Sequence, residues 1–178
     1  MTETASPAPE VVQRPEGEPH LGVIVGTELY GLPLRRLQEV CRLTSVRRVP
    51  GAAPHVAGLV SLRGEIICAL DARAILGLPE RSSPGPQFVV ALRDFEYPIG
   101  LVVDWVADIF HIDPAAVEAP PAEWRHQRRA CVTGTATVAP GRGPHRADFA
   151  RWGASIGLLD VDALVRGPHD ADSASWGA

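Results

Sequence analysis

Leu59-Val-Ser-Leu-Arg-Gly-Glu-Ile-Ile-Cys-Ala-Leu-Asp71 sets two short apolar runs, 59–62 and 65–70, on either side of Arg63-Gly64. Apolar strands that close in space around one glycine form a tight hairpin or a bulged corner. Asp71 then stands where a short helix over 72–76 wants an N-cap, and Gly77 with Pro79 stops it. Upstream, residues 21–25 and 29–34 read as another pair of strands about Gly26-Thr-Glu, and 37–49 as further strand material ending at Pro50-Gly51. His55 to Gly58, after a proline, reads as one helical turn. Residues 79–87 carry three prolines, two serines and a glycine, which predicts a loop and a boundary between two halves near 78–87.

Downstream the style repeats. Strands are expected at 88–92, 97–103, 105–112, 132–138 and 155–159, and Asp160 is placed to cap a closing helix over 161–166 ended by Gly167-Pro168. About nine or ten short strands at turn-bounded spacing, with two small helices and no βαβ rhythm, argue an all-β barrel or sandwich architecture. Residues 1–20, with four prolines and little apolar content, are expected to be a disordered tail, and the ordered domain is expected to span 21–168. Residues 169–178 read as a flexible tail.

All 17 basic residues of the 178 are arginine; lysine is absent. Schiff-base lysines, phosphate-loop lysines and lysine general bases are thereby excluded, because each needs an amine whose proton can move. Net charge is −4 and the pI near 5.8, which gives no general attraction to nucleic acid or anionic lipid. No apolar run approaches the roughly 18 residues that span a bilayer, and the N-terminus lacks the basic start and apolar stretch of a secretory signal. A cytoplasmic location is expected. Cys41, Cys68 and Cys131 are too few and too scattered for a disulfide framework, and the six histidines make no ligand-spaced pair, so no metal or cofactor is expected.

Catalytic candidates are sparse. Asp160-Val-Asp162 offers a carboxylate pair, but Asp160 is wanted as a helix cap. Asp104 and Asp108 lack a partner base, Gly141-Arg-Gly143 lacks the helix start of a phosphate loop, and Arg125, Arg128 and Arg129 lack aromatic interleaving for RNA. Arg63 is the residue out of place: an arginine at a tight corner where Asn, Asp or Ser is usual, with an apolar stem and a forked head suited to protein contacts.

Several segments together resemble the CheW-like family of chemotaxis coupling proteins. They are Tyr30-Gly-Leu-Pro-Leu34 with Leu37-Gln-Glu-Val40, Val49-Pro-Gly51 with Pro54-His-Val-Ala-Gly58, and Leu62-Arg-Gly64 running into Leu70-Asp-Ala-Arg73. Further on come Gly100-Leu-Val-Val-Asp-Trp-Val-Ala-Asp108, Thr133-Gly134 and Leu158-Leu-Asp-Val-Asp-Ala-Leu164. The resemblance implies two five-stranded, SH3-like β-barrels packed across one shared core, with short helices and a C-terminal helix. It implies a non-catalytic adaptor joining the cytoplasmic tip of a methyl-accepting receptor to the regulatory domain of a CheA-type histidine kinase, in arrays at the inner membrane that it reaches only through receptors. Other CheW-like domains are further implied partners. Arg63, Glu39, Leu37 and Gly58 match first-barrel positions implicated in partner contacts, and Val106 and Ile109 match apolar second-barrel positions associated with receptor coupling. Ser61, Ala57, Trp105 and the long loop over 139–154 depart from the family pattern. Two rival readings follow: a diverged CheW-like scaffold of another chemosensory-type pathway, and a ligand-binding protein or enzyme using Asp104, Asp108 and the arginine loop.

Overall fold

A computed structural model describes residues 16–82, 85–122, 124, 131–138 and 155–166. Ten strands form two five-stranded sheets. The strands are β1 (Glu18–Val25), β2 (Glu28–Pro33), β3 (Leu37–Arg42), β4 (Val56–Leu62), β5 (Glu65–Asp71), β6 (Phe88–Leu92), β7 (Ile99–Val103), β8 (Trp105–Ile112), β9 (Val132–Thr137) and β10 (Ser155–Leu159). Short helices α1 (Ala72–Ile75) and α2 (Val161–Arg166) follow β5 and β10. One sheet runs β3-β6-β7-β5-β4, the other β8-β1-β2-β10-β9.

Each sheet curls into a small barrel, and one outer strand of each is covered by a bridging residue. Arg47 exchanges two backbone hydrogen bonds with Leu59 at the β4 edge (2.9 and 2.8 Å), and Glu118 does the same with Thr135 at the β9 edge (2.8 and 2.9 Å). Backbone groups that would otherwise template aggregation are thereby paired.

Alternation along the strands explains why they read as continuous apolar runs. On β6, Val89 and Ala91 point into the first barrel, while Val90 and Leu92 point into a core shared by both barrels. On β1, Ile24 faces the second barrel's interior, and Leu21, Val23 and Val25 face the shared core. Both faces are buried, so both periodic sets are apolar. Such narrow interiors leave no room for a side chain at every position. A methyl on Gly100 would stand 2.7 Å from Val89 Cγ2 and 2.8 Å from Ile67 Cδ1.

The expected hairpin and caps are present. β4 and β5 pair with Leu62 opposite Glu65, Asp71 accepts from the Arg73 and Ala74 amides, and Asp160 accepts from those of Asp162 and Ala163. Other expectations need correction. The first strand begins at Glu18 rather than Leu21, because Glu18, Pro19 and His20 pair with Ile112, His111 and Phe110 of β8. Strand β3 ends at Arg42, and the 55–58 segment is no helical turn: it leads into β4, with the Asp71 amide bonding the His55 carbonyl at 2.8 Å. The 78–87 connection does not divide the barrels. β6 and β7, which follow it, complete the same sheet as β3, β4 and β5, and the second barrel is assembled from both ends of the chain. Parallel pairs make this possible, β5 with β7 and β2 with β10. The 125–129 cluster, the 139–154 loop and the 169–178 tail lie outside the described residues.

Candidate partner-binding site

The β4–β5 turn has two central residues, Arg63 at φ 49° and Gly64 at φ 90°. Left-handed backbone at both positions suits the twist of a two-residue hairpin, and glycine adopts it without cost. Arginine does not, so its use at Arg63 points to a role for the side chain. That side chain is 82% exposed, and its Nε lies 3.0 Å from Glu39 Oε2. Glu39 belongs to β3, at the other margin of the same sheet, so the pair spans two sheet edges. The Glu39 side chain is only 21% exposed, but with the arginine end in solvent the pair is screened and contributes about 1 kcal/mol or less. The guanidinium is therefore held in place without being used up. Beside it, burial pushes the Cys41 thiol up from its ordinary pKa, with the Glu39 carboxylate adding to the effect, which keeps the thiol protonated.

Arg63 and Glu39 are thus brought together; the other expected residues are placed differently. Leu37 is 7% exposed, opposite Leu92, and belongs to the shared core. It supports β3 from beneath and offers no surface. Gly58 is also buried, at φ 142°, where β4 bulges between Val56 and Gly58. A methyl there would collide with the Arg47 carbonyl oxygen and come within 2.8 Å of Val46 Cγ1. The absent side chain admits the chain's own 46–47 segment, so the expected approach of a partner helix is not what Gly58 provides on that side. Gly58→Ala is expected to destabilise the fold by about 1–3 kcal/mol through strain and the displaced Arg47–Leu59 pairing. Urea unfolding measures this, and an unchanged midpoint would show that the 46–47 segment yields freely.

Val106 and Ile109 lie on β8, at the edge of the second barrel. Val106 is half-buried against the shared core, whereas Ile109 is 46% exposed opposite Leu21. They share no barrel with Arg63 and Glu39. Trp105, next to Val106, packs edge-on against Phe88 of the first barrel (centroids 5.2 Å apart, planes at 84°), so its indole fills part of the seam between barrels.

Sequence reasoning passed over the outward face of the Arg63 hairpin. Ile66 is 65% exposed and Leu59 37%, on adjacent strands with Ser61 opposite Ile66 and Cys68 opposite Leu59. Consecutive isoleucines face opposite sides of a strand, and at this end of the hairpin only the Ile67 side is covered, a difference that the Ile66-Ile67 pair does not record. Asp104 and Asp108 are not brought together as acid–base groups. Asp104 is taken up by the Gly26 amide (2.7 Å) and the Arg73 guanidinium (2.8 and 2.9 Å), and Asp108 Oδ1 accepts from the Ile109 amide at 2.8 Å. Among the described residues no three His, Cys, Asp or Glu side chains converge as a metal site would require.

Comparison with known proteins gives a consistent picture. The family model described as "CheW-like domain" matches residues 19–168. The chain is 27% identical over 107 residues to "Chemotaxis protein CheW" of Bacillus subtilis (strain 168), covering 59% of this chain and 67% of the relative. It is 28% identical over 101 residues to the protein of the same name from Treponema pallidum (strain Nichols), covering 54% and 59%. The matched stretch thus spans about three-fifths to two-thirds of these relatives. Among solved structures, the scaffolding protein TtCheW of Thermoanaerobacter tengcongensis superposes with a TM-score of 0.67 at 22% identity, over 83% of this chain and 92% of the other. At that identity the likeness concerns the fold.

Proposed function

Because the chain belongs to the CheW-like domain family, we propose that it is a non-catalytic coupling protein that holds a CheA-type histidine kinase, through its CheW-like regulatory domain, to the cytoplasmic tips of methyl-accepting receptors. The observation that carries this reading is the exposed Arg63 fork, fixed by backbone and by Glu39 at the tip of a hairpin whose outer face presents Leu59 and Ile66. An always-charged planar donor set beside exposed apolar side chains is the composition of an interface anchor. Ile109, with the half-buried Val106 on the same strand, offers a second apolar contact on the other barrel, suited to the apolar face of a helical hairpin. Leu37 and Gly58 act from below, by fixing β3 and β4.

Arg63→Ala tests the reading directly. Receptor-dependent kinase activity, measured with receptor-containing membranes of the host and its CheA-type kinase, is expected to fall about tenfold or more, the loss of one strong anchor. The melting temperature should move by no more than about 2 °C, because the Arg63 end of the Glu39 pair lies in solvent. A protein that neither co-sediments with receptor membranes nor alters kinase activity would overturn the coupling role. Binding to other CheW-like domains without receptors would favour the diverged scaffold.

A further inference from the structure

Where β3 ends and β6 begins, the first barrel carries an open groove of about 370 Å³ between residues 42–46 and 85–87. The Leu43 amide donates to the Gln87 carbonyl at 2.8 Å, which holds the two walls together. Arg42, Thr44, Ser45 and Gln87 supply the polar lining, and no carboxylate is among the lining residues. Cys41 packs on the interior of the first barrel, so Arg42, the next residue along β3, stands on the outward face.

Positive charge is unbalanced here. Arg36, Arg63, Arg73 and Arg81 each meet a carboxylate, that of Asp162, Glu39 or Asp104. Among the described residues Arg42 meets none, nor do Arg47 and Arg48 just beyond the groove, and all three are exposed. In a chain of net charge −4, three uncompensated guanidiniums within residues 42–48 make a local field that attracts anions. The backbone adds to it, because the amides of Thr44, Ser45 and Val46 donate to no group among the described residues. A guanidinium fork, two hydroxyls and free amides together form an oxyanion cradle. A carboxylate presents two oxygens to such a set, whereas a phosphate monoester presents three and carries about two charges at neutral pH. The volume falls in the lower part of the range for small-molecule sites, roughly 300–1,000 Å³. The net negative charge of the chain opposes approach to an anionic lipid surface.

We infer that this groove binds the phosphate monoester of a small soluble molecule, with the Arg42 fork and the Thr44 and Ser45 hydroxyls as donors. The inference does not rest on the coupling role, and its test uses neither receptor nor kinase. The full chain, labelled with ¹⁵N, is titrated at constant ionic strength with phenyl phosphate, with benzoate, and with vesicles containing phosphatidic acid. Phenyl phosphate is expected to shift the amide signals of Thr44, Ser45 and Val46 with half-saturation near about 1 mM, and benzoate to bind about tenfold more weakly. Arg42→Gln should weaken phenyl phosphate about tenfold. Arg93→Gln, which removes an exposed arginine at the other end of β6, should leave it unchanged. The comparison of phosphate with benzoate on the unaltered chain decides the matter even where Arg42→Gln fails to fold. Absence of shifts at these amides up to about 10 mM phenyl phosphate, equal binding of benzoate, or equal losses in the two variants overturns the inference. Binding to the vesicles without binding of phenyl phosphate would assign the arginines to a lipid headgroup and overturn it as well.

Discussion

Replacing Asp104 by alanine is expected to destabilise the protein by about 3 kcal/mol, the lower end of the range for removing one partner of a buried ion pair. Asp104 sits where the chain crosses from β7 of the first barrel to β8 of the second, and its amide donates to the Ile24 carbonyl at 3.0 Å. Its carboxylate accepts from the Gly26 amide in the β1–β2 turn, from Arg73 on α1, and is 3.4 Å from Arg81 in the connection to β6. Arg73 and Asp104 have side chains only 18% and 14% exposed. Alanine would leave a largely desolvated guanidinium and a backbone N–H without their acceptor, and both barrels would lose the tie. Asp104→Asn keeps an acceptor for Gly26 and should cost less, about 1–2 kcal/mol. Urea unfolding followed by tryptophan fluorescence measures both. A loss below about 0.5 kcal/mol for the alanine variant would mean that water replaces the carboxylate and that the barrels are held by packing alone.

Leu159→Ala should destabilise by a similar or larger amount, about 2–5 kcal/mol. Leu159 is 3% exposed on β10, opposite Val132, in the core shared by the two barrels with Cys131, Val161 and Leu164. Truncation opens a cavity between rigid sheets that cannot collapse inward, so the lost contacts are not recovered. Leu159 also positions Asp160 and hence α2, which makes the C-terminal helix the first element expected to loosen. Calorimetric melting provides the check, and the contrast with Arg63→Ala is the informative part: one variant loses stability, the other coupling. Equal destabilisation by both would make Arg63 a structural residue.

Much of this was visible locally. The turn at Arg63-Gly64, the caps at Asp71 and Asp160, and the strands 88–92, 105–112 and 155–159 all follow from short-range chemistry: a glycine that turns, a carboxylate that accepts amide N–H groups, β-branched runs bounded by breakers. Arg63 was legible as a candidate for partner contact because it breaks a local rule. Leu37 was not legible as core, since an apolar residue beside polar neighbours reads equally well as floor or surface until its partner Leu92 is known. Nor was Gly58: the collision that requires glycine comes from Arg47, on a segment bridged to Leu59 only in the folded sheet.

By itself the sequence determined an all-β chain of short strands, where it turns, how its helices are capped, and that its chemistry excludes lysine. Only the tertiary structure decided which strands share a barrel, that the 78–87 loop lies within one sheet, and that Glu39 meets Arg63 while Asp104 is spent on joining the barrels. The physical reason is range. Turns and caps are fixed by neighbours a few residues apart. The partner of a strand buried on both faces is selected by packing against residues far along the chain, as when β10 lies parallel to β2, and a uniformly apolar run does not record that choice.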